Sequence, residues 1–116
     1  MGYDVHITRA DDWLDSEQQP ISLRDWFTHV EHDPEMELEE IAVARVEEKP
    51  VLAYRNEGLA VWVAYSGHEP NGNKAWFDWR EGRIIVKNPD EEILDKMRQI
   101  AAHFRAKVVG DDGEYY

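Results

Sequence analysis

Between Leu59 and Val86 the chain reads LAVWVAYSGHEPNGNKAWFDWREGRIIV, and few folds accommodate such a stretch. Ala75, Phe77 and Trp79 alternate with Trp76, Asp78 and Arg80, the period of a strand with one apolar and one polar face. Glu81-Gly82 then separates this segment from Arg83–Lys87 by two turn-forming residues, which is hairpin spacing. Upstream, Leu59–Tyr65 is apolar on both of its alternating faces, as expected of a strand covered on two sides, and it is read as the central strand. The polar segment Ser66–Lys74, with Gly67, Pro70 and Gly72, joins the two as a loop. Three of the five tryptophans fall in this stretch, so its strands must supply much of the core.

The flanking segments extend the pattern. Tyr3, Val5 and Ile7 alternate with Asp4, His6 and Thr8, predicting a first strand over 3–8. Residues 9–20 read as a loop anchored by Trp13 and Leu14. Ser22 can cap a helix over 23–32, with Asp25 at the capping-box position and Ile21 stapled onto Trp26. Leu23, Trp26, Phe27 and Val30 form its apolar stripe, and Asp33-Pro34 stops it. Residues 35–48 fit either period; the turn EEKP at 47–50 and the strand-like VLAYRN after it favour a strand. Asn88 as cap and Pro89 at the first helical position predict a second helix over 89–105, with Ile93, Leu94, Met97, Ile100, Ala101 and Phe104 on one side. A short strand over 107–109 and an acidic tail follow. The fold expected is α+β: one domain with a mostly antiparallel five- to seven-stranded sheet, in the order β-α-β-β-β-β-β-α-β, and two helices packed on one face.

Charge bounds the function. The 25 acidic residues against 13 basic ones give a formal charge of −12, which repels nucleic-acid backbones and anionic membranes and favours a basic protein partner. The run of acids from Glu31 to Glu48 is read as a solvated face that would steer such a partner. With no cysteine, disulfides and thiolate chemistry are excluded. The first residues carry no apolar leader and no run is long enough for a membrane span, so a cytoplasmic protein is expected.

The candidate chemistry is sparse. His68 lies in the Ser66–Asn73 loop, whose small residues let backbone approach a ligand. If the first strand runs beside the central one, His6 with Asp4 approaches that loop, and an imidazole–carboxylate pair there could bind a cation or move a proton. Asn71 and Asn73 in the same loop, Trp76 on the polar face of its strand, and Asp78 complete the binding residues expected, with no catalytic or metal-ligating set and no cofactor. His29 and His32, three apart on a helix, and His103 read as surface residues. Ser66-Gly67-His68 lacks the flanking glycines and strand-to-helix context of a nucleophile elbow. Asp111, Asp112 and Glu114 lack the alternation of a calcium loop and read as a solvated terminus.

Taken together, YDVHITRA, AVWVAYSGH, AWFDWREGRIIVKNPDEEI and the closing GDDGE resemble blocks shared, in this order, by a group of small uncharacterised bacterial proteins. The resemblance spans almost the whole chain and implies no activity or cofactor. Similar proteins tend to carry a glycine after the second helix, where this chain has Arg105-Ala106. The leading expectation is a non-enzymatic protein-binding module of inhibitor or immunity type. The alternatives are a small-molecule- or metal-binding enzyme or sensor centred on His6 and His68, and a structural protein that forms a homodimer through its exposed sheet face.

Overall fold

The computed structural model describes residues 3–38 and 58–116. The turn expected at 47–50, the strand expected over 51–56 and most of the strand expected after residue 35 lie outside the described residues. The elements are β1 (Asp4–Thr8), a short 3-10 segment (Trp13–Gln18), α1 (Leu23–His32), β2 (Met36–Leu38), β3 (Leu59–Trp62), β4 (Ala75–Arg80), β5 (Arg83–Lys87), α2 (Glu91–Phe104) and β6 (Lys107–Gly110). The six strands form one sheet in the order β2-β3-β4-β5-β1-β6, and every neighbouring pair is antiparallel. The architecture is α+β, as the alternating patterns predict.

Residues opposite one another in the ladders share a face. Trp79, Ile84, Ile7 and Val108 form one such row, and Val86 and Val5 belong to the next row on that side. This face meets both helices: it forms one buried cluster with Trp26 and Val30 of α1 and with Ile93, Met97, Ile100 and Phe104 of α2. Trp26, Phe77, Ile7 and Met97 lose all contact with water, each contributing roughly 1.5–3 kcal/mol of hydrophobic stabilisation. The Trp26 indole N–H is not left unpaired in this core, since it donates to the Gly58 carbonyl at 2.8 Å. The opposite face carries the row Leu59, Asp78, Ile85, His6 and Val109.

Several expectations need correction. The strand read as central, β3, lies next to β2 toward one end of the described sheet, while β1 sits between β5 and β6. Its strand geometry ends at Trp62. Trp13 does anchor the segment after β1, but Leu14 points outward with 71% exposure; Ser16, hydrogen-bonded to Thr8 at 2.7 Å, is the second anchor. Ser22 caps α1 by accepting from the Asp25 amide. At α2 the cap is Asp90, accepting from the Ile93 amide, because Asn88 adopts φ 48 and turns the chain out of β5 two residues earlier.

Arg105 closes α2 in the left-handed conformation, with φ 56. Its amide bonds to the Ala102 carbonyl and that of Ala106 to Ala101, the paired bonds of a Schellman cap. A side chain in this conformation costs about 1–2 kcal/mol, which glycine avoids while giving back about 0.5–1 kcal/mol in unfolded-chain entropy. Arg105→Gly is therefore expected to raise the unfolding free energy by about 0.5–1 kcal/mol, read from the urea midpoint; a lower midpoint would contradict the cap assignment.

Candidate functional site

Among the described strands, the ladder between β4 and β5 stops short of the strand ends. Asp78↔Ile85, Trp79↔Ile84 and Arg80↔Arg83 pair β4 with β5, but the register does not extend to Trp76 and Lys87. Both strands continue past this point, β4 to Ala75 along β3 and β5 to Lys87 along β1. The cause lies in how their ends are fastened. Asn88 donates its amide to the Tyr3 carbonyl at 2.8 Å and accepts the Tyr3 amide on its side chain at 2.9 Å, which draws the end of β5 toward β1. The start of β4 is set instead by β3 and by the preceding loop, where the Asn73 side chain donates to the Gly67 carbonyl at 3.1 Å. That loop is tied to the start of α2: the Tyr65 hydroxyl donates to Asp90 at 2.5 Å and Ser66 to Glu92 at 2.6 Å.

A cavity of about 660 Å³ opens where the ladder stops. Ala75 and Trp76 line it from β4, and Val86, Lys87 and Asn88 from the end of β5; Tyr65 and Ile93 also face it. Its remaining described walls combine apolar Leu59 and Ile85 with Asn73, Lys74, Asp78 and Arg80. Trp76 is 37% exposed, with the Lys74 ammonium 5.6 Å from its ring centroid. A mostly apolar wall with a few converging polar groups and an accessible aromatic ring has the composition and size of a small-molecule site.

The residues expected from the sequence divide. Asn73, Trp76 and Asp78 line this cavity, and Asp78 is also paired with Arg80 at 3.1 Å. Asn71 is exposed in the preceding loop and His68 is half-buried there, with its Nδ1 atom buried and without a hydrogen-bond partner among the described residues. His6 belongs elsewhere: β4 and β5 stand between β1 and β3, so the first strand does not run beside the strand that leads into the loop. Tyr65, Lys87 and Asn88 were not foreseen as lining residues. The asparagine before a proline was the one usable signal, since asparagine tolerates the left-handed turn that leads the chain out of β5.

His6 is 2% exposed and fully engaged. Its ring stacks on Trp13 at 4.2 Å, Arg83 donates to Nδ1 at 3.2 Å, and Nε2 lies 2.9 Å from an Asp111 oxygen. A guanidinium only donates, so Nδ1 is the acceptor and the neutral ring carries its proton on Nε2, toward Asp111. Burial lowers the His6 pKa, Asp111 pulls it back and Arg83 adds to the lowering. Burial alone would raise the Asp111 carboxyl, but the Asp4 amide and the His6 ring hold it below its ordinary range. Asp111 is thus a structural ligand of the first strand and not a solvated tail residue.

A second polar cluster joins the helices. Lys96, 3% exposed at its side chain, donates to Asp33 at 2.9 Å, Glu35 at 3.0 Å and Gln99 at 3.2 Å, which uses all three ammonium protons. His29 is 12% exposed, 3.5 Å from Asp33, with its ring centroid 4.8 Å from that of His103. These two histidines, read as separate surface residues, therefore meet between α1 and α2 and line a cavity of about 590 Å³ with Lys96. Among the described residues no group of three or more potential ligands is arranged to hold a metal ion, and no helix is long and apolar enough to cross a membrane. No protein-family model matches the chain, and neither does any curated protein or solved structure.

Burial also lowers the His29 pKa, and His103 adds to the effect. A histidine whose folded pKa lies below its unfolded value of 6.5 binds fewer protons folded than unfolded. Its contribution to stability is then complete above the unfolded value and is lost as pH falls through the folded one. The urea midpoint is expected to drop between about pH 7 and about pH 5, with His29→Gln removing part of the drop. A midpoint that does not change over this interval would rule out neutral burial of these rings.

Proposed function

We propose that the chain is a non-enzymatic binding domain that holds a small molecule in the cleft between β4 and β5. The observation that carries this reading is the coincidence of an interrupted ladder, a cavity of about 660 Å³ and an exposed tryptophan at its wall. A cleft of this size encloses most of a drug-sized ligand, and its aromatic and aliphatic walls supply contact area while the amides and charged groups fix orientation. The ionisable groups of the described lining are Lys74, Asp78, Arg80 and Lys87 with the Tyr65 phenol, and the one acid is paired with Arg80, an arrangement suited to holding a ligand more than to moving its protons. Capture of a basic protein partner draws on the overall charge of −12 and the acidic run Glu31–Glu48, whereas the cleft's own described lining has three cations to one carboxylate.

A fragment screen followed by amide chemical shifts tests the proposal. Binding fragments are expected to shift residues 73–78 and 85–88 together. Trp76→Ala should weaken that binding about tenfold, the loss of roughly 1.4 kcal/mol of ring contact, with little change in the urea midpoint because the ring is partly exposed. Fragments that shift only residues around His29 and Lys96, or none at all, would overturn it.

A further inference from the structure

We infer that the cleft recognises a planar N–H/C=O edge, the chemistry of a lactam or a pyrimidinedione ring, through backbone groups left open by the interrupted ladder. This rests on the cleft being a ligand site. In an antiparallel sheet the residues of a strand direct their N–H and C=O groups alternately to one neighbour and the other. Trp79 donates its amide to the Gly58 carbonyl on the β3 side, at 3.2 Å. Residues one and three positions away in β4, Asp78, Arg80 and Trp76, therefore direct theirs toward β5. Asn88 donates to Tyr3 on the β1 side, so Lys87 directs its N–H and C=O toward β4. Asp78 and Arg80 find their partners in Ile85 and Arg83, but Trp76 and Lys87, the next rung, do not pair.

Each of these two residues presents an N–H and a C=O side by side on an extended backbone. A cis-amide edge, with its own donor and acceptor adjacent and coplanar, is the complementary group. Trp76 and Lys87 are exposed, so water serves these groups in the free protein; a bound ligand shields them, gaining if it completes the rung and losing if it covers them without replacing those hydrogen bonds. The walls agree with such a ring: Trp76 and Tyr65 offer faces for stacking, and Ile85, Val86 and Ile93 offer apolar contact. The side-chain amides of Asn73 and Asn88 provide further donors and acceptors at the rim.

Hydrogen exchange on the free protein tests the premise. The Trp76 and Lys87 amides should exchange much faster than those of Asp78 and Ile85, and equal protection of all four would overturn the inference. Titration with uracil at millimolar concentration, followed by amide chemical shifts, tests the recognition. Uracil should shift the Trp76 and Lys87 amides most, and dimethyluracil methylated on both ring nitrogens should bind at least about tenfold more weakly. Benzoate, which has no amide edge, should likewise be weak. If all three shift the same residues with equal affinity, the cleft holds ligands by shape and the edge recognition is wrong, although the proposed function stands. If none shifts residues 73–78 and 85–88, the inference falls, and the fragment screen decides separately whether the cleft binds anything.

Discussion

The pleat of the sheet is the constraint on which the other features depend. Because successive side chains alternate between faces, a register shift of one residue would place Val5, Ile7, Ile84 and Phe77 in the wrong layer and His6, Asp78 and Trp76 against the helices. The registers of β1 with β5 and of β4 with β3 prevent this, and the polar strand residues His6, Asp78 and Trp76 are thereby sent to the face away from α1 and α2. His6 is the case where this assignment would be costly without further provision. It remains buried on the polar face because Trp13, Arg83 and Asp111, from three other parts of the chain, cover and satisfy it.

The same constraint fixes where the cleft can form. Backbone groups in a sheet interior are paired unless something pulls the strands apart, and here the pull comes from either end of one hairpin. Asn88 uses both its amide and its side chain on Tyr3, while Asn73 and Tyr65 hold the other strand's approach against the loop and α2. The left-handed Asn88 does double duty in this arrangement. It fastens β5 to β1 and turns the chain toward Pro89 and the Asp90 cap, so the strand's end and the helix's start are set by one residue.

Local pattern made the elements legible, and the period-2 segments 3–8 and 75–87, the Ser22 cap and, Phe27 apart, the stripes of both helices read correctly. Their arrangement was less accessible. An apolar run such as Leu59–Tyr65 signals burial on two faces without saying how many strands lie on each side, which is why β3 looked central. The polar clusters were invisible for a different reason: His6 and Asp111 are 105 residues apart, His6 and Arg83 are 77, and Lys96 and Asp33 are 63. No local signal links such residues. Of the candidate site, Asn73, Trp76 and Asp78 were within reach because one loop and one strand carry them, whereas Lys87, Asn88 and Ile93 enter only through the pairing of β5 with β1.

The distribution of charge separates the two cavities. Around Lys96 the ammonium is matched by Asp33, Glu35 and Gln99, and Glu35 also accepts the Trp62 indole N–H at 3.0 Å, which joins α1, α2 and β3, while the buried Nε2 of His29 beside them has no hydrogen-bond partner among the described residues. Such a network rigidifies the junction of helices and sheet, and the Lys96 ammonium spends its three protons within the fold. The β4–β5 cleft is the reverse. Three of the chain's 13 basic residues line it in a protein of net charge −12, and the residues of its last rung, Trp76 and Lys87, do not pair with each other across the hairpin. The ammonium of Lys96 is committed to the fold, whereas an open rung beside an exposed indole offers backbone donors and acceptors together with a stacking face, and it is this combination, more than cavity size, that distinguishes the cleft.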